Sequence, residues 1–129
     1  MKNQISFRTS LFDSHELVPQ VADDRHFGKD LALWMSKKAT GSEFAFGKPM
    51  QAERGWSETV SVDGENFVLG FGIVDESVGI DYAEWLITIE KLRKWKIFGP
   101  KDSALRGRLC DLIHNILRDE RQIREVQWM

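Results

Sequence analysis

Apolar and polar residues alternate along two runs, Trp56 to Val62 and Glu65 to Phe71, separated only by Asp63 and Gly64. Period-two alternation marks a strand with one buried face, and Asp-Gly between two such runs is a strong hairpin signal, because both central residues of a type I′ turn take positive φ. A two-residue loop sets the register: Val62 opposite Glu65, Val60 opposite Phe67, Glu58 opposite Leu69, and Trp56 opposite Phe71. One face of this hairpin is then apolar except for Glu58. The other, with Ser57, Thr59, Ser61, Asn66, Val68 and Gly70, is polar or small, as for an antiparallel sheet with one side toward water.

The same pattern recurs on either side. Ile5 and Phe7 alternate with polar neighbours and predict a short first strand or an extended arm within residues 1–22. Asp23 or Asp24 is placed to cap a helix in which Phe27, Leu31, Trp34 and Lys38 fall at i, i+4, i+7 and i+11 with Met35 beside them, and Gly41 stops it. Glu43 to Phe46 reads as a short strand closed by Gly47-Lys48-Pro49, and Glu84 to Glu90 as a strand with Trp85, Ile87 and Ile89 on one face. After the break at Phe98-Gly99-Pro100, Asp102 or Ser103 can cap a second helix whose apolar stripe is Leu105, Leu109, Leu112, Ile113, Ile116 and Leu117. Arg106, Arg108, Asp111 and Arg118 fall mainly outside that stripe. Ile123, Val126 and Trp128 predict a final short strand.

Two amphipathic helices and a one-faced sheet have one economical arrangement, an α+β two-layer sandwich: an antiparallel meander of about 4–5 strands with both helices on its apolar face. The 129 residues suffice for one such domain, spanning 1–129. Five Trp and eight Phe point to a core built on large rings. No run approaches the roughly 18 apolar residues of a membrane helix, and the N-terminal residues lack the apolar core of a secretion signal. A single cysteine, Cys110, excludes an intramolecular disulfide and fits a reducing compartment. The cytoplasm is the expected location.

The net charge of −2 conceals a division. Residues 1–90 hold 8 Lys/Arg and 15 Asp/Glu, a balance of −7, and residues 91–129 hold 10 and 5, a balance of +5. Asp75, Glu76 and Asp81 make an acidic loop, and Lys91, Arg93, Lys94 and Lys96 open a basic segment. These are the candidate binding residues. The bland reading is that they form solvated surfaces near one another. A nucleic-acid partner is not expected, since such domains are usually basic overall.

Glu58 is the sharpest candidate for chemistry. A carboxyl on an apolar face has its ionised form disfavoured, which raises its pKa, as in general acids. The competing readings are a pairing with arginine, a place at the sheet edge, or a bulge that turns it outward. Gly70 and Gly72 lie two apart on a strand, which predicts close approach of a backbone, a ligand or, as the simpler reading, an aromatic ring. His26 and Asp30 lack a third ligand partner, so neither metal nor cofactor is expected. Cys110 and His114 stand four apart, but a helical wheel puts Cys110 at the stripe's margin and His114 opposite it, so a half-buried structural thiol beside a solvent-facing imidazole is expected.

The order helix, Trp-x-x-x-Val-x-Val-Asp-Gly-x-x-Phe hairpin, Trp-Leu-Ile strand, Phe-Gly break, Leu-rich helix and terminal Val-x-Trp resembles small uncharacterised bacterial α+β proteins, among them immunity-like proteins that neutralise toxins of rival cells. The resemblance covers residues 27–128 and brings no catalytic residue with it. It implies a non-enzymatic protein-binding module, an immunity protein or adaptor, whose partner is another protein; a homodimer is also compatible. The alternative is a small enzyme or ligand-binding domain with a pocket between sheet and helices containing Glu58. A cavity of a few hundred Å³ at that carboxyl would favour this second reading.

Overall fold

The structure, a computed structural model, describes residues 3–12, 28–52, 55–75, 83–92 and 104–128. Its elements run β1 (Gln4–Thr9), α1 (Lys29–Lys38), β2 (Ala45–Phe46), β3 (Met50–Ala52), β4 (Gly55–Val62), β5 (Glu65–Asp75), β6 (Ala83–Leu92), α2 (Ala104–Arg118) and β7 (Ile123–Trp128). The chain is thus α+β. All strand pairs are antiparallel, in one seven-stranded sheet of order β2-β4-β5-β6-β1-β7 with β3 also on β4.

The β4–β5 hairpin has the register its turn demands. Trp56 faces Phe71, Glu58 faces Leu69, Val60 faces Phe67 and Val62 faces Glu65. Asp63 and Gly64 take φ of 43° and 79°, the left-handed pair of a type I′ turn. Glu58 therefore stays on the apolar face, and no bulge turns it out.

Seven strands replace the 4–5 expected. The N-terminal segment is an interior strand, with β1 between β6 and β7 through pairs such as Phe7 with Trp85 and Ser6 with Gln127. Its flanking strands leave even Ser6 only 1% exposed. β3 was not foreseen, because Met50-Gln51-Ala52 has no alternation and Met50 stays exposed.

The core cluster joins Ile5 and Phe7 of β1, Val60 of β4, Phe67, Leu69 and Phe71 of β5, and Trp85, Ile87 and Ile89 of β6 with residues of both helices. From α1 come Leu31, Ala32 and Met35, and from α2 Leu109, Cys110, Ile113 and Leu117. Leu105, Leu112 and Ile116 are only partly buried against it, so the α2 stripe is centred one position away from the one expected. Arg106 explains part of the rotation. It was placed outside the stripe, yet it is 8% exposed because its Nη2 reaches the Ile89 carbonyl of β6 at 3.2 Å. That carbonyl lies just past the first β1 pair, Gln4 with Thr88.

Helix α1 begins after Gly28 and carries Asp30 in its first turn and Lys37 and Lys38 in its last, each favourable to the helix dipole. Lys38 is exposed, and its ammonium lies 5.8 Å from the Trp34 ring centroid, so the stem follows the stripe while the charge stays in water. The expected caps Asp23, Asp24, Asp102 and Ser103, and Phe27, lie outside the described residues.

Candidate functional site

Helix α1 lays its Ala32–Ser36 edge over β4, where Glu58 is 1% exposed. Glu58 Oε2 is hydrogen-bonded to Ser36 Oγ, and Oε1 has no hydrogen-bond partner among the described residues. Ser36 Oγ also lies 3.1 Å from the Ala32 carbonyl. Inside α1 the Ala32 carbonyl is already the acceptor of the Ser36 backbone N–H, so the one Ser36 hydroxyl proton can go to Glu58 Oε2, a bond that favours the charged carboxylate. Burial disfavours that charged form more strongly. Accordingly, burial pushes the carboxyl from 4.5 up to about 7, with the Ser36 hydroxyl restraining the rise. No arginine pairs with it among the described residues.

Ser36 has a second neighbourhood. Together with Leu33, Lys37, Ala39, Thr40, Phe44 and Phe46 it lines an open cleft of about 370 Å³ between the C-terminal half of α1 and the β2 segment. Glu58 does not itself line this cleft. The alternative function expected a cavity containing the carboxyl; the structure instead has the cavity beside it, with Ser36 between.

The other candidates are scattered. Asp75 and Lys91 fall at the ends of β5 and β6, where their side chains lie outside the described set, and Glu76, Asp81, Arg93, Lys94 and Lys96 lie outside the described residues altogether. The described charged pairs lie elsewhere, the best of them Arg108 with Glu43, bidentate at 2.9 Å and exposed. His15 and His26 also lie outside the described residues, and no group of three or more His, Cys, Asp or Glu able to hold a metal occurs among the described ones.

Cys110 is 6% exposed, more deeply buried than its place on the wheel implied, with Arg106 Nη1 3.9 Å from its sulfur. His114 does not face solvent freely. It is half-buried because Trp128 of β7 lies over it, donating Nε1–H to His114 Nδ1 at 2.8 Å. The imidazole is turned to the last strand, not to the thiol. At Gly70 the expected aromatic ring is replaced by a smaller group: a Cβ there would come within 2.5 Å of Thr88 Oγ1, so the cross-strand threonine occupies the glycine's space.

Sequence reading missed Ser36, Lys37, Phe44 and Phe46 as a group. The available signal was the small residues Ala32 and Ser36, four apart on a stripe otherwise made of large side chains. No protein-family model, curated protein or solved structure matches the chain.

Proposed function

We propose that the protein is a non-enzymatic protein-binding module, immunity-like or adaptor-like in its role, that meets its partner through oppositely charged surfaces. The observation that carries this reading is the burial of Glu58 to 1% exposure, which withdraws the candidate acid from any substrate in solution. The division of charge between residues 1–90 and 91–129 supplies the means of recognition, since complementary potentials speed association and select partners.

The test is capture of partners from a lysate of the source cells by the full chain, at low and high salt. A captured protein should be retained less at high salt, because exposed charges are screened over about 8 Å at physiological ionic strength. Reversing charge at Asp75 and Glu76, or at Lys94 and Lys96, should weaken retention without changing the melting temperature, and Glu58→Gln should leave it intact. Recovery of small molecules only, lost in Glu58→Gln, would establish the opposite reading. That second reading, a ligand-binding domain or small enzyme, has one observation in its favour: Ser36 links Glu58 to the cleft.

A further inference from the structure

Strand β2 ends the sheet. Its only neighbour among the described residues is β4, through Ala45 with Ser61 and Phe46 with Val60. One step on, the Gly47 N–H donates to the Thr59 carbonyl at 2.8 Å. Hydrogen-bonded and non-hydrogen-bonded pairs alternate along an antiparallel ladder. Gly47 being bonded to Thr59, Ala45 is the next residue turned toward β4, and the N–H and C=O of Phe46 point away from the sheet. Such an edge is a template for another strand.

The Phe46 side chain lines the cleft, as does that of Phe44 two residues earlier on the same face. Across from them, α1 contributes Leu33, 50% exposed, and the exposed Lys37, which makes no ion pair among the described residues. Phe46, whose backbone groups point outward, thus borders the same cleft as the apolar Leu33 and Phe44 side chains and the Lys37 cation. Thr40 Oγ1 already donates to the Ser36 carbonyl, so Lys37 is the polar group left to choose an occupant.

We propose that this cleft receives an extended segment of a protein partner, added to the sheet beside β2, with an apolar side chain in the cleft and an acidic residue two positions away on Lys37. The inference rests on the protein-binding reading and names the chemistry of the segment bound. A residue opposite Phe46 puts its side chain on the same face as Phe46, hence into the cleft, and the next residue on that face is about 7 Å along, within reach of a lysine. This is strand addition, in which backbone bonds give affinity and a pocket for alternate side chains gives specificity.

The test titrates the ¹⁵N-labelled full chain with the capped peptide acetyl-Ser-Gly-Leu-Thr-Glu-Thr-Gly-amide. Saturable amide shifts confined to residues 33–40 and 44–47 are expected. Replacing the peptide's glutamate with lysine should weaken binding about threefold, the scale of an exposed ion pair, and the Lys37→Glu chain should prefer the lysine peptide while melting only slightly lower, by the loss of a cation at the C-terminus of α1. Methylating the leucine nitrogen should abolish the shifts if that N–H pairs with Phe46. Absence of saturation at millimolar peptide, shifts centred elsewhere, or equal binding of the two peptides would overturn the proposal. So would the same shifts on concentrating the chain alone, which would make a second copy the occupant. If the peptide fails while the captured protein still responds to the Asp75/Glu76 or Lys94/Lys96 reversals, this inference falls and the protein-binding reading stands.

Discussion

Replacing Glu58 by Gln should make the protein more stable at alkaline pH, with a much smaller gain at pH 5. In the folded chain the carboxyl titrates at about 7, against 4.5 when unfolded. The folded state therefore holds a proton that the unfolded state has released between those values. Stability must fall as pH rises through that window, from full value below 4.5 to its lowest above 7. At 1.36 kcal/mol per unit, the shift corresponds to about 3 kcal/mol. Glutamine cannot ionise, and its amide oxygen can accept from Ser36 Oγ as the carboxyl does, so the variant escapes this loss. Urea unfolding of both proteins from pH 5 to 9 measures it, other titrating groups being common to the two. The gap between the curves should widen by about 2–3 kcal/mol from pH 5 to pH 8.5, with Glu58→Gln gaining and unchanged m-values. Parallel curves would mean that Glu58 is solvated or paired in solution. A less stable variant at pH 8.5 would mean that the ionised carboxylate is the form the fold requires.

Ser36→Ala should lower stability throughout and move the wild-type pH midpoint upward, because the hydroxyl is what restrains the carboxyl's rise; an unchanged midpoint in the same titration would remove Ser36 from the pair. Gly64→Val should cost about 2 kcal/mol, since Gly64 sits at φ 79° where L-residues are disfavoured and a β-branched one most of all; an unchanged melting temperature would count against the turn. Ile113→Ala, at a fully buried site, should cost about 2–5 kcal/mol and Leu112→Ala distinctly less; the reverse order in urea unfolding would return the α2 stripe to the face expected from its sequence. Cys110 should react with a thiol reagent in the native state only as fast as the protein opens; rapid native labelling would show a sulfur exposed at the surface.

Local chemistry determined the elements whose information is local. Asp63-Gly64 admits one tight turn, and that turn dictates every cross-strand pair from Val62–Glu65 to Trp56–Phe71, including the inward placement of Glu58. Alternation likewise placed Trp85, Ile87 and Ile89 on one face, because a strand's two sides are written into successive residues. What the sequence could not express was which distant segments become neighbours. β1 lies inside the sheet because β6 and β7 flank it, a pairing between residues more than 70 positions apart for which Ile5 and Phe7 carry no label. The angle of α2 about its axis owes part of its value to Arg106 reaching the Ile89 carbonyl of β6, so a nominally polar position turned inward while Leu112 and Ile116 lie at the margin. The environment of Glu58 was decided the same way. Its face was legible from the hairpin, but its hydrogen-bond partner among the described residues, Ser36, comes from a helix 22 residues upstream. Only the docking of that helix buries the acid, leaves one carboxyl oxygen without a partner among the described residues, and opens the cleft beside it instead of over it.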